Sequence, residues 1–121
     1  MRNKGAKVAI LKLSLDKCEG TCITYSKIQY EYAKKLNDDK NIIKIRANIE
    51  LEAFHDEKYP NRVYTSDFIC TKKNGEIMVR ECIDRKSINR PMMIRLLDES
   101  KKYWRDHGVS DWGIVVNAKT I

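Results

Sequence analysis

Hydrophobic and polar residues alternate most regularly in the middle of the chain. Between residues 43 and 53 every second residue is apolar, and the residues between them are charged or polar. A period of two is typical of a β-strand that has one face in the core and one in water. The polar stretch 55–61 that follows contains Pro60, which predicts a loop.

Two other stretches carry their apolar residues at helical spacing. In residues 24–37 one stripe predicts a helix, and either Thr24 or Ser26 is placed to cap it. A second helix is predicted to begin at Pro91, with Asn89 as its cap, and to end at Gly108. The stripes consist of Tyr25, Ile28, Tyr32 and Leu36 in the first helix, and of Met93, Leu96, Leu97, Ser100 and Trp104 in the second.

Four further stretches predict strands, at residues 7–13, 62–71, 76–84 and 111–117. The last is almost entirely apolar and follows a helix, which is typical of a buried parallel strand reached by a crossover. The predicted fold class is α/β (α+β), a mixed β-sheet flanked by helices. We expect one domain over residues 1–121, with 1–22 as an N-terminal strand and joint and 23–121 as the core.

The turn between the strands predicted at residues 62–71 and 76–84 permits two registers. If Asn74 and Gly75 form a two-residue loop, Asp67 faces Cys82 and Glu81 points to the opposite side of the sheet. If Gly75 takes the left-handed position of a three-residue loop, Asp67 lies directly opposite Glu81. The second register gives the better apolar pattern on one face, and the side-chain pattern therefore favours it.

In the second register two carboxylates oppose each other inside an apolar surface. Directly opposed Cβ atoms lie roughly 4.5–5.5 Å apart, so the two charges must be relieved by a proton, a cationic side chain or a divalent metal. Two carboxylates with open positions for water and phosphate suit Mg²⁺ or Mn²⁺, which predicts Asp67 and Glu81 as metal ligands. The alternative is an ion-pair cluster with Arg80, Arg85 or Lys86.

The net charge of +7 makes an anionic partner plausible, and nucleic acid is the first candidate. Lys101, Lys102 and Arg105 on the second helix, with Arg90 just before it, are candidate contacts to a DNA backbone. The alternative is a solvated helix face balanced by neighbouring acidic residues. No stretch resembles a signal peptide or a membrane span, so we expect a cytoplasmic protein that does not bind a membrane. Its four cysteines are then expected to be free thiols.

The ordered set of motifs resembles the PD-(D/E)xK nuclease superfamily, which has the restriction-endonuclease-like fold. It is most similar to the N-terminal domain of TnsA-type transposon endonucleases. The similarity covers residues 24–117 and is carried by an aspartate, a hairpin and a glutamate in an apolar strand. Its segments are Tyr64-Thr65-Ser66-Asp67-Phe68, residues 41–46, and the closing helix and strand at residues 96–115.

The resemblance implies that Asp67 and Glu81 hold a catalytic Mg²⁺ or Mn²⁺. The chain departs from the family pattern at two places. The family's lysine, two residues after the glutamate, falls on Ile83, so Arg85 or Lys86 would have to supply the cation. In the first helix Gln29 stands where the family has a glutamate, and Glu31 lies about 200° further around an ideal helix. Gln29 could also form a capping box with Ser26.

The expected function is therefore a metal-dependent endonuclease that hydrolyses double-stranded DNA at transposon ends. The resemblance implies a separate transposase subunit as partner, and a homodimer is compatible with the sequence. The chain would be a fragment, a minimal version or a relative with another role, because the family carries a further C-terminal domain. The alternative is a catalytically inactive DNA-binding or protein-interaction module that retains the nuclease fold.

Overall fold

The computed structural model describes residues 10–51, 65–116 and 119–120. These residues form a mixed α+β structure with two helices and two sheets. In chain order the elements are β1 (Leu11–Ser14), β2 (Thr21–Thr24), α1 (Lys27–Asp38), β3 (Ile42–Glu50), β4 (Thr65–Lys72), β5 (Ile77–Cys82), a 3₁₀ turn (Arg85–Ser87), α2 (Pro91–Asp106), β6 (Asp111–Val116) and β7 (Lys119–Thr120).

The larger sheet has the strand order β3-β4-β5-β6-β7. Strands β3, β4 and β5 form an antiparallel meander, whereas β6 is parallel to β5 and is reached through α2. The apolar face of α1 packs with Phe68 and Cys70, and α2 packs on the other face with Ile83 and Val116. The expected mixed sheet with helices on both faces is therefore present.

The N-terminal region differs from the prediction of a lone strand over residues 7–13. Strand β1 pairs with β2 in a separate antiparallel hairpin, and residues 7–9 lie outside the described part. The assignment of Thr24 to the helix is wrong, because its buried hydroxyl donates to the Leu11 carbonyl oxygen across the hairpin (3.1 Å). Helix α1 begins later, where the Ser26 hydroxyl oxygen accepts a hydrogen bond from the Gln29 amide (3.1 Å).

Strand β3 departs from simple alternation at two residues. A register shift at Ile43 inserts an extra residue, so Ile43 is 53% exposed and its neighbour Ile42 is buried instead. Asn48 has a φ of 57°, a conformation that asparagine tolerates better than most residues. Ala47, which precedes Asn48, packs against the apolar cluster on the α1 side of the sheet. Ile49, which follows Asn48, packs against the cluster on the α2 side.

Helix α2 begins and ends with different kinds of cap. Pro91 occupies its first turn as predicted, but the N-cap is Arg90 without a side-chain hydrogen bond, so the prediction of Asn89 is wrong. At the other end Gly108 has a φ of +83°, and the amide of Val109 donates to the Trp104 carbonyl oxygen (2.8 Å). This is a Schellman motif, which confirms the predicted role of Gly108. Neither helix in the described residues is long and apolar enough to cross a membrane.

An ion-pair cluster joins β4, β5 and β6. The Asp111 carboxylate contacts Lys72 through one oxygen and the Arg80 guanidinium through the other, at 2.8 Å. Burial acts to raise the pKa of Asp111, but the hydrogen bonds and charges of Lys72 and Arg80 outweigh it and hold that pKa below its ordinary value. Gly113 leaves space for this arrangement, because a Cβ there would lie 3.3 Å from Arg80 side-chain atoms.

Asp111→Asn should lower the free energy of unfolding by about 1 kcal/mol at neutral pH, since the cluster is partly open to solvent. Because the pKa of Asp111 is lowered in the folded state, its contribution is present above the unfolded pKa and disappears as pH falls through the folded value. Urea unfolding of both proteins across this range checks the prediction. A difference that persists unchanged in strong acid would contradict it.

Candidate active site

The β4–β5 hairpin has the register that places the two carboxylates opposite each other. Gly75 has a φ of +86°, its amide donates to the Lys72 carbonyl oxygen (2.9 Å), and the Lys72 amide donates to the Glu76 carbonyl oxygen (2.9 Å). The ladder then pairs Ile69 with Val79 and Phe68 with Arg80. The next opposed residues are Asp67 and Glu81, so the three-residue loop is confirmed.

At this point the side chains take over the hydrogen bonding between the strands. The Asp67 amide donates to Glu81 Oε1 (2.8 Å), and the Cys82 amide donates to Asp67 Oδ2 (2.7 Å). Both carboxylates are buried: Glu81 is 0% exposed and Asp67 is 2% exposed. Each acidic side chain therefore satisfies a main-chain donor of the hairpin where the regular ladder ends.

Two serine hydroxyls converge on the other oxygen of Glu81. Ser66 Oγ donates to Glu81 Oε2 at 2.9 Å, and Ser100 Oγ donates to the same atom at 2.6 Å. Both serines are fully buried, Ser66 in β4 and Ser100 in the middle of α2. Glu81 thus connects the hairpin to the helix that covers this face of the sheet.

The two tryptophans complete the network. Trp104 Nε1 donates to Ser66 Oγ (3.0 Å), and Trp112 Nε1 donates to Ser100 Oγ (3.0 Å). Both rings also pack against the apolar residues of the α2 face, as predicted for core tryptophans. Sequence reasoning missed the hydrogen bonds; the available signal was Ser100, a hydroxyl within an otherwise apolar helical stripe.

Gln29, predicted as a candidate catalytic residue, is buried and supports the backbone beside the carboxylates. Its Nε2 donates to Asn48 Oδ1 (2.8 Å), and its Oε1 accepts from the Tyr25 amide (2.8 Å). Asn48 lies across from Asp67, between the ladder pairs Ala47–Phe68 and Ile49–Ser66. The capping box is present only in part, because the Gln29 side chain accepts from Tyr25 and not from Ser26.

Glu31 lies on a different side of α1 from Gln29. Its carboxylate is 3.9 Å from the Lys27 ammonium, and its side chain is 43% exposed. This is the behaviour of a solvated helix residue with a neighbouring opposite charge. The contacts of Glu31 give it no part in the buried network around Glu81.

The predicted replacement cations do not lie on strand β5. Strand β5 ends at Cys82, two residues before the predicted end at Asp84, and residues Arg85–Ser87 form a 3₁₀ turn. Arg85 therefore does not share the strand face of Glu81. The chain turns there because Asp84 Oδ1 accepts a hydrogen bond from the Lys86 amide (3.2 Å). Arg85 and Lys86 are exposed, whereas Ile83, at the position of the family's lysine, is fully buried.

The basic residues predicted to contact DNA are all on the surface. Lys101, Lys102 and Arg105 are exposed on α2, and Arg90 is exposed at its N-terminus. Lys101 Nζ lies 6.0 Å from the centre of the Trp112 ring. Because Ser100 is buried in the same helix, α2 has one side in the Glu81 network and another side exposed. On the exposed side these basic residues lie among the exposed acidic residues Asp98, Glu99 and Asp106.

The oxygen donors at this site fit a hard divalent cation. Within the described residues no group of three or more His, Cys, Asp or Glu side chains could hold a metal ion. A cation at this position would have Asp67 and Glu81 as its carboxylate ligands. Mg²⁺ is commonly bound by one or two carboxylates together with water and phosphate. Both lone pairs of Glu81 Oε2 are used by serines, so a metal bond from Glu81 falls to Oε1.

The cysteines have a structural role. All four are free thiols, and Cys70 and Cys82 are buried in the apolar cluster on the α1 side, as expected. Burial raises the pKa of the Cys70 thiol to about 12, which keeps it protonated. Burial likewise raises the pKa of Cys22 to about 12, with a further contribution from the neighbouring Cys18. These thiols are poor nucleophiles and poor metal ligands in this state.

Comparisons of the chain with protein-family models and with curated proteins find no match. The functional interpretation therefore depends on the geometry of the Glu81 network and on the pattern of residues in the sequence.

Replacing Glu81 by glutamine should destabilise the protein even though the shapes are nearly equal. The amide has one acceptor oxygen, whereas three donors from Asp67, Ser66 and Ser100 converge on the carboxylate. At least one buried donor loses its acceptor, at a cost of about 2–3 kcal/mol in unfolding free energy. Chemical denaturation measures this directly.

The matched control is Glu76→Gln, a change in a glutamate whose side chain is 45% exposed in the adjoining turn. It should alter the unfolding free energy by less than about 0.5 kcal/mol. Equal effects of the two substitutions would show that the buried network does not hold the carboxylate as described.

Proposed function

We propose that this protein is a metal-dependent DNA endonuclease with a restriction-endonuclease-like core, similar to the N-terminal domain of TnsA-type transposon endonucleases. The order of elements supports this fold: a helix, three antiparallel strands, a second helix and a parallel strand, with one helix on each face of the sheet. The role that follows is cleavage of double-stranded DNA at transposon ends, beside a separate transposase subunit.

The observation that carries the proposal is the opposition of Asp67 and Glu81 at the end of the β4–β5 ladder. Two acidic residues occupy opposed, buried positions of the hairpin, where side chains normally serve only packing. Burying two opposed anionic groups is costly, and sequences that need only stability fill such positions with apolar residues. A divalent cation bound by both carboxylates would relieve their repulsion and would give them a catalytic role.

In this proposal Asp67 and Glu81 are the metal ligands. When bound, the Mg²⁺ or Mn²⁺ ion would activate water and neutralise charge on the phosphodiester. The Cys82 amide holds Asp67 Oδ2, and the Asp67 amide holds Glu81 Oε1, so both ligands are oriented by the hairpin itself. Arg85 and Lys86, exposed on the following turn, are the nearest cations along the chain that could approach a phosphate.

The exposed basic side of α2 is the proposed contact to the DNA backbone. Lys101 and Lys102 directly follow Ser100 in the helix, so the DNA would pass over the helix that carries part of the Glu81 network. Neutralisation of phosphates by such residues releases counterions and makes binding dependent on salt. The net charge of +7 is opposite in sign to the charge of DNA and therefore favours binding to it.

A second function is favoured by one observation, the complete burial of Glu81. Water does not reach this carboxylate in the present arrangement, and three protein donors already satisfy it. Ile83, which stands where the nuclease family has its lysine, is fully buried, and this also favours the second function. The protein would then be an inactive DNA-binding or protein-interaction module in which Glu81 only stabilises the fold.

Metal binding separates the two functions, and Asp67→Asn is the sharpest variant. The amide oxygen can still accept the hydrogen bond from the Cys82 amide, so the fold should persist while the charge is lost. We expect wild-type protein to bind Mn²⁺ by calorimetry in the presence of a DNA duplex, and Asp67→Asn to weaken that binding at least 100-fold. Cleavage of the duplex should disappear with it.

Asp98→Asn, which removes an exposed carboxylate from α2, is the control and should bind Mn²⁺ like the wild type. If wild-type protein binds no Mn²⁺ with or without the duplex, the nuclease proposal is wrong and the inactive module is supported.

The DNA surface can be tested separately from the chemistry. The double change Lys101→Ala and Lys102→Ala should reduce the slope of log affinity against log salt concentration by about 2, since each phosphate contact contributes about 0.9. Fluorescence anisotropy of a labelled duplex over a salt series measures the slope. Lys34→Ala with Lys35→Ala, two exposed lysines on α1, is matched in charge and should leave the slope near the wild-type value. If both double variants reduce the slope equally, the proposed DNA contact on α2 is wrong.

A further inference from the structure

We infer that Ser66 and Ser100 are positioning residues that orient Glu81 toward a metal ion, with Trp104 and Trp112 setting the direction of their hydroxyl groups. This inference rests on the proposed nuclease function. It assigns a role to four residues outside the aspartate–glutamate pair, in two relays that join β4, α2 and β6 to one carboxylate oxygen.

The direction of the hydrogen bonds follows from the tryptophans. An indole N–H donates and cannot accept, so each serine oxygen receives a hydrogen bond from its tryptophan. The hydroxyl proton is then left to point at the other neighbour, which is Glu81 Oε2 in both cases. Both tryptophan–serine pairs therefore donate a hydrogen bond to the same atom, Glu81 Oε2, which accepts from both of them.

The consequence for the carboxylate is a fixed orientation. With Oε2 held from two sides at 2.9 and 2.6 Å, Glu81 cannot exchange its oxygens by rotation, and Oε1 stays beside Asp67. Ligating carboxylates are commonly held in this way by groups that do not touch the metal, and loss of such a group costs 10–100-fold in metal affinity. A purely structural network also places Oε1 at the Asp67 amide, so the measurement that distinguishes the two roles is metal affinity.

The first experiment measures Mn²⁺ affinity by calorimetry in the full-length protein. We expect Ser100→Ala and Ser66→Ala each to weaken binding about 10-fold or more, and Ser66→Thr to restore it because threonine keeps the hydroxyl and suits a strand. The control is Thr24→Val, which removes a buried hydroxyl whose hydrogen bond goes to Leu11 on the other side of the fold. It should lower stability and leave Mn²⁺ affinity unchanged.

The second experiment begins with the wild-type protein. The chain contains two tryptophans, so a ¹⁵N-labelled sample shows two indole N–H signals in an NMR spectrum. When Mg²⁺ is added to wild-type protein, both signals should shift with a common midpoint, since both report on hydroxyls bonded to Glu81. In Ser100→Ala the response of Trp112 should be lost and that of Trp104 retained.

Two results would overturn the inference while leaving the nuclease proposal intact: Mg²⁺ binding that moves neither indole signal, or serine variants that bind Mn²⁺ as tightly as Thr24→Val. A wild-type protein that binds neither ion, with or without duplex, removes both proposals together. The two failures are therefore distinguishable.

Discussion

The buried carboxylate of Glu81 is the interaction on which the rest of this structure depends. Removing a carboxylate from water costs several kcal/mol unless its lone pairs are satisfied. Here the donors come from three places: the main chain of Asp67, the side chain of Ser66 and the side chain of Ser100 in α2. One residue thus fixes the end of the β4–β5 hairpin and the position of the helix that covers it.

The same arrangement explains why the site can be interpreted in two ways. Donors that stabilise a buried carboxylate are also the donors that would orient a metal ligand, because both tasks require the oxygens to be held in place. The difference lies in whether Asp67 and Glu81 also bind a cation. Burial favours the structural role, whereas the placement of two opposed acids at a strand end favours the metal.

Helix α2 connects the Glu81 network with the surface of the protein. Its buried side provides Ser100 and Trp104 to the network, and its exposed side presents Lys101, Lys102 and Arg105. A rigid helix moves as one unit, so any contact made by its exposed side would be mechanically connected to the hydrogen bonds that its buried side makes to Glu81. Its Schellman motif and the Val109–Trp104 packing fix the end of the helix next to β6.

The sequence alone favoured the strand register that opposes Asp67 and Glu81, because a period of two and a glycine turn are local properties. The tertiary structure decided between this register and the two-residue loop that the same sequence permits. The sequence also determined the two amphipathic helices. Only the tertiary structure decided that β5 ends before Arg85, that Asn48 changes the face of β3, and that Ser66 and Ser100 meet at Glu81. The meeting of both serines at Glu81 depends on partners 15 and 19 residues apart in the chain, whose distances and hydrogen-bond directions are set by packing and leave no local pattern.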